Sequence, residues 1–130
     1  MQFSKTGNYF AIVKKYDHGS SKPNELLVFE SKDILQTLRA IEEDNPFLRV
    51  DLPARTHFKM ISFDLQEKYV AVASKTSVEI FPLMKNCNEQ HSYKLDQDKF
   101  SLILDMVLDS SKGETYRCHV AAKSSQTTSV

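Results

Sequence analysis

The chain repeats itself, and that repetition restricts its fold more than any other property. Phe3, Gly7, Tyr9, Phe10, Ala11 and Val13 are echoed 60 positions later by Phe63, Glu67, Tyr69, Val70, Ala71 and Ala73. Each copy has an aromatic residue, then Ser or Asp, a turn, and Tyr-x-Ala. The strand that follows is Leu27-Val28-Phe29 in the first copy and Glu79-Ile80-Phe81 in the second. A third, partial copy starts at Met106-Val107-Leu108-Asp109, turns at Gly113 and resumes at Tyr116, 47 residues after Tyr69. Self-similarity of this kind marks one supersecondary unit used several times, with a core made by stacking neighbours.

The unit is a β unit. Apolar runs at 9–13, 25–29, 58–63, 69–73, 78–81, 100–108 and 116–122 are short and rich in β-branched and aromatic residues, and a weaker run lies at 93–95. Turn chemistry separates them at Lys5-Thr6-Gly7-Asn8, at residues 18–23 and at Ser110-Ser111-Lys112-Gly113. Runs that are continuous rather than alternating predict strands buried on both faces. One segment has two readings. Ser31 can cap a helix whose apolar positions are Ile34, Leu35, Leu38 and Ile41, or residues 35–38 can form an outer strand. The all-β surroundings favour the strand.

The spacing is close to the ~40–45-residue unit of a WD-type propeller, in which each blade is a four-stranded antiparallel sheet. A hydrophilic insert at 18–24 and an acidic segment at 42–51 lengthen the first interval. A small Ala or Cys on the second strand leaves room for a neighbouring blade, and the aromatic before the turn fills the space between sheets. The expected fold is all-β, a partial WD40-type β-propeller of about two to two and a half blades. Three strands are expected in the first blade, four in the second and two in the third. The repeats are degenerate, with no tryptophan at all. Residues 1–122 are read as incomplete blades and 123–130 as a disordered, low-complexity tail. A length of 130 residues fits one domain but not a closed ring, which needs at least four blades.

Composition narrows the function classes. With 17 basic and 17 acidic side chains, no net field steers the chain to nucleic acid or acidic lipid. No apolar run of signal-peptide or membrane-span length occurs, so the expected protein is soluble and intracellular. Cys87 and Cys118 lie 31 residues apart, which fits two reduced thiols rather than a zinc site or a disulfide framework.

No motif carries chemistry. His18 and His91 fall in expected loops and read as solvated. His57 is isolated, and His119 beside Cys118 reads as a structural strand residue. No spacing among the four makes a metal site. Asp105 and Asp109 flank an apolar strand and read as backbone-bonding carboxylates. Asp51 with Arg49 and Arg55 reads as a surface ion pair. The three glycines are isolated, which excludes a phosphate-binding loop, and no nucleophile elbow is present. The basic groups Lys14-Lys15 and Arg49, Arg55, Lys59 read as solvated strand ends. No catalytic, cofactor or metal residues are therefore expected. The final Thr128-Ser129-Val130 has the form that a PDZ groove accepts together with a free carboxylate.

Three stretches resemble the non-catalytic WD-repeat subunit of the eukaryotic tRNA (guanine-N7) methyltransferase. Residues 3–11, FSKTGNYFA, look like that family's Phe-Ser-x-x-Gly-x-Tyr-Phe-Ala blade start. Residues 69–83, YVAVASKTSVEIFPL, look like its next strands. Residues 95–111, LDQDKFSLILDMVLDSS, look like its Leu-Gly-His-x-Ser-x-Leu-Leu-Asp-Val segment, with Ser101, Leu104 and Asp105 matching position for position. Departures are plain. Lys75-Thr76-Ser77 lacks the family's turn glycine, the Gly-His is absent, and Cys118-His119-Val120-Ala121-Ala122-Lys123 stands where the family has a charged partner-contacting motif.

The resemblance implies a non-catalytic scaffold that supports a partner methyltransferase, with tRNA contacted only indirectly and no membrane, metal or cofactor involved. It implies the nucleus, with the cytoplasm as a second compartment. The competing expectation is a generic WD-repeat fragment that binds another protein.

Overall fold

The computed structural model describes residues 2–4, 7–16, 23–31, 33–53, 56–84, 90–110 and 116–124. Where the length predicts one domain, the chain divides into two compact units. One comprises Met1–Thr56 with Leu83–Asn88, the other His57–Pro82 with Glu89–Val130.

The first unit is an antiparallel meander in the order β1 (Gln2–Phe3), β2 (Tyr9–Lys14), β3 (Glu25–Glu30) and β4 (Leu48–Asp51). It has four strands, not the three expected. Two of the three expected are β2 and β3; β1 is an addition, and so is β4, which lies inside the segment read as an acidic insert. Its pattern Leu-Arg-Val-Asp buries only Leu48 fully, as an outer strand with one wetted face does.

The segment after β3 is a helix, α1 (Ile34–Glu42), and this corrects the outer-strand expectation at 35–38. The cap is Asp33, not Ser31: its Oδ1 accepts the Gln36 amide at 2.8 Å. Ser31 instead accepts the Thr37 hydroxyl at 3.1 Å. The helix rests Ala40 on Phe10, Leu27 and Phe29 and ends in a turn at Asp44, which has φ 51°.

The second unit holds another meander, β5 (Met60–Phe63), β6 (Tyr69–Ala73), β7 (Ser77–Pro82) and β8 (His91–Lys94). Facing it is a two-stranded sheet of β9 (Phe100–Asp109) and β10 (Arg117–Ser124). Ala71, Ala73, Val78 and Ile80 pack against Ile103, Met106 and Leu108. The small alanines of β6 let the two sheets close together, and fully buried runs in β3, β6 and β7 match the apolar stretches that predicted them.

The repeat is real at the level of single hydrogen bonds. Ser4 N donates to Tyr9 O at 2.9 Å and Gly7 N to Ser4 O at 3.0 Å. Sixty residues on, Asp64 N donates to Tyr69 O at 2.9 Å and Glu67 N to Asp64 O at 2.9 Å. Both turns place their fourth residue in the left-handed region, with φ 78° at Gly7 and 56° at Glu67. Between β9 and β10 the pairing interval is one residue longer. Asp109 pairs with Arg117, eight residues on, where Phe3 pairs with Phe10 and Phe63 with Val70, each seven on.

The protein is therefore mostly β, built from antiparallel meanders of four, four and two strands, and compatible with a partial propeller. Strand β10 runs to Ser124, two residues past the expected blade boundary. The segment 125–130, including Thr128-Ser129-Val130, lies outside the described residues.

Candidate interaction surfaces

In the first unit, α1 turns its polar Thr37 and small Ala40 toward the sheet and leaves larger residues in solvent. Leu35 is 79% exposed, Leu38 51%, and Ile41 is at the border of exposure. Spaced by three, they form one stripe along the helix. Asp33 at the N-cap, Glu42 in the last turn and Glu43 at the C-cap are all exposed. On the other flank a groove of about 270 Å³ is lined by Glu30, Gln36, Ala40, Asn45, Pro46 and Phe47.

Behind the helix, Glu25 ties three elements together. Its carboxylate accepts the Tyr16 hydroxyl at 2.5 Å and the Arg49 guanidinium at 3.0 Å. Arg49 also reaches Asp44 at 2.5 Å. Arg49 thus pairs with Glu25 and Asp44 rather than with Asp51 as expected, because Glu25 and Arg49 stand on neighbouring strands with side chains on the same face. Arg55 lies outside the described residues. The Tyr16 hydrogen bond, reinforced by Arg49, holds the Glu25 carboxyl below the usual carboxylate range.

In the second unit the outer face of β9 exposes Leu104 (59%) and Val107 (52%). Leu104 is the extra residue of a bulge, since Asp105 pairs with Ala121 and Ile103 with the adjacent Ala122. The bulge turns Ile103 and Met106 to the core, three residues apart instead of two. Asp105 accepts the Met106 amide at 2.8 Å, the backbone-bonding role expected of it. His119 is solvent-exposed on β10 rather than packed as a structural residue.

An aromatic cluster that sequence reasoning missed links β8 to the start of β10. The Tyr116 hydroxyl lies 2.6 Å from His91 Nδ1 and 2.6 Å from the Tyr93 hydroxyl, and its ring meets Tyr69 edge-on at 4.9 Å. His91, expected in a loop, is the first residue of β8 and is hydrogen-bonded. Desolvation, then the Tyr93 hydrogen bond, pushes the Tyr116 phenol well above its ordinary value, and burial pushes the Cys118 thiol up. His57 is exposed, while His18 and Cys87 lie outside the described residues.

Two buried carboxylates hold the second unit's loops. Asp64 accepts the amides of Gln66 and Lys68 at 3.2 and 3.1 Å and the Ser110 hydroxyl. Glu79 accepts Gln90 Nε2 at 2.7 Å and Ser92 Oγ at 2.8 Å, fastening β8 to β7. Among the described residues each carboxylate accepts a serine hydroxyl together with amide donors. No protein family, curated protein or solved structure matches the chain.

Proposed function

We propose that the protein is a non-catalytic scaffold whose rigid, blade-like sheets present apolar side chains to a protein partner. The observation that carries this reading is the exposure of Leu35 and Leu38 on α1. Exposed apolar side chains grouped in one patch mark interaction sites, whereas singly scattered ones are ordinary. Within the second unit the hydrogen-bonded carboxylates of Asp64 and Glu79 stiffen the loops of its sheet.

The resemblance in residues 3–11, 69–83 and 95–111 supports a specific version: a WD-repeat subunit of a tRNA (guanine-N7) methyltransferase, acting in the nucleus. In that version the partner carries S-adenosylmethionine chemistry and holds the tRNA, and this chain positions the partner. Co-expression with the catalytic subunit tests it, with a stable complex after affinity purification as the expected result. Failure to co-purify sinks the methyltransferase version and leaves the generic adaptor, favoured by a charged partner-contacting motif being absent from 118–123.

A further inference from the structure

We infer that α1 is a docking helix for a basic amphipathic segment of a partner protein. Leu35, Leu38 and Ile41 supply the apolar stripe, and the surroundings set its sign. Residues 30–44 carry five acidic side chains (Glu30, Asp33, Glu42, Glu43, Asp44) against two basic ones (Lys32, Arg39). Of the five, Asp44 is neutralised by Arg49 and Asp33 is occupied with its cap. Among the described residues no ion pair engages Glu42 or Glu43, which follow Ile41 at the C-terminal end of the stripe; Glu30 lines the groove on the other flank, and Arg39 is the one described cation of the helix. A chain that is neutral overall thus carries a net acidic segment at the helix that exposes Leu35 and Leu38.

Apolar contact supplies affinity in such a helix interface, and the charged rim selects the partner and speeds encounter. An acidic rim selects lysine and arginine and rejects a second acidic surface. A second copy of the chain fits poorly, since two such helices would face each other with like charge. Two leucines and an isoleucine also fall short of the ~800 Å² per partner that a stable dimer buries. The inference rests on the scaffold reading and adds the partner's chemistry to it.

The test uses the isotope-labelled full chain and a blocked amphipathic peptide of about 14 residues, with leucines at helical spacing and lysines elsewhere. A control peptide carries glutamate in place of every lysine. Saturable shifts confined to amides of residues 33–44 are expected with the lysine peptide, weakening as salt rises. Binding should fall at least about ten-fold in the double variant Leu35→Glu, Leu38→Glu and with the glutamate peptide.

Leu35→Ala, Leu38→Ala keeps the test valid should the charged variant disturb the helix, and it should also weaken binding. Equal binding of both peptides, shifts centred elsewhere, or indifference to both double variants would overturn the inference. Concentration-dependent shifts of the same amides without peptide would overturn it in favour of self-association. Co-purification of the methyltransferase without peptide binding sinks this inference alone. Peptide binding without co-purification sinks only the methyltransferase assignment.

Discussion

At the residue scale, the two repeat turns solve one backbone problem with different residues. Gly7 takes φ 78° at no steric cost, whereas Glu67 takes φ 56° with a Cβ that the left-handed region penalises. Glu67→Gly is therefore expected to stabilise the protein by about 0.5–1 kcal/mol, read from the urea midpoint. Gly7→Ala should cost about 1 kcal/mol although its new Cβ would meet nothing within 4 Å, so the loss isolates backbone strain from packing. Asp64 does for the second turn what Ser4 does for the first, where Ser4 Oγ accepts the Tyr9 amide at 3.0 Å. Asp64 does more, holding two amides and the Ser110 hydroxyl while almost wholly buried. Asp64→Ala leaves three donors without a partner, and a loss of roughly 2–3 kcal/mol is expected from the same denaturation series.

At the element scale, the apolar strands could be read in advance, whereas the helix was one of two readings and the outer strands β1 and β4 were not read. Runs such as Leu26-Leu27-Val28-Phe29 and Val70-Ala71-Val72-Ala73 are apolar on both faces because both faces are buried, and no helix of that length needs such a run. The helix carried the right spacing at Leu35, Leu38 and Ile41. The surrounding β pattern outweighed it, yet a repeat pattern elsewhere in the chain does not decide the conformation of an inserted segment. Its conformation is set by Asp33 at the cap and by helix-forming residues behind it. Asp33→Ala should cost about 1 kcal/mol and raise amide exchange in α1 ahead of β2 and β3. Strand β4 escaped notice because three of its four residues lie at least partly in water and two are charged. The Tyr116 cluster escaped for another reason: His91 and Tyr116 are 25 residues apart and share no pattern that announces contact. Exposed Leu35 and Leu38 were visible as apolar residues, but only a fold can say which apolar residues stay outside.

At the scale of the whole molecule, two compact units give the chain two separate responses to pH. The first unit depends on Glu25, whose folded pKa lies below its unfolded value near ~4.3. A lowered acid pKa gives stability that is present above the unfolded value and is lost as pH falls through the folded one. Acid below about pH 4 should therefore loosen the first unit through Glu25. Glu25→Gln should flatten that limb while lowering stability at neutral pH, because Arg49 loses its buried partner.

The second unit responds at the other end. Tyr116 and Cys118 both have raised folded pKa values, so the unfolded chain ionises first, from about pH 8.5 for the thiol and about pH 10 for the phenol. Stability present below those values is then lost as pH rises past them. Tyr16 is also raised, by its bond to Glu25, so the first unit shares in the alkaline loss. The expected signature is thus asymmetric. Amide protection factors, corrected for the intrinsic pH dependence of exchange, should fall in β2 and β3 in acid and in β6, β7 and β10 in alkali. Tyr116→Phe removes the phenol's contribution and should reduce the alkaline slope in the second unit without changing the acid limb. An unchanged alkaline slope in that variant would show that Tyr116 ionises with equal ease folded and unfolded, and that its hydrogen bonds to His91 and Tyr93 do not survive in solution.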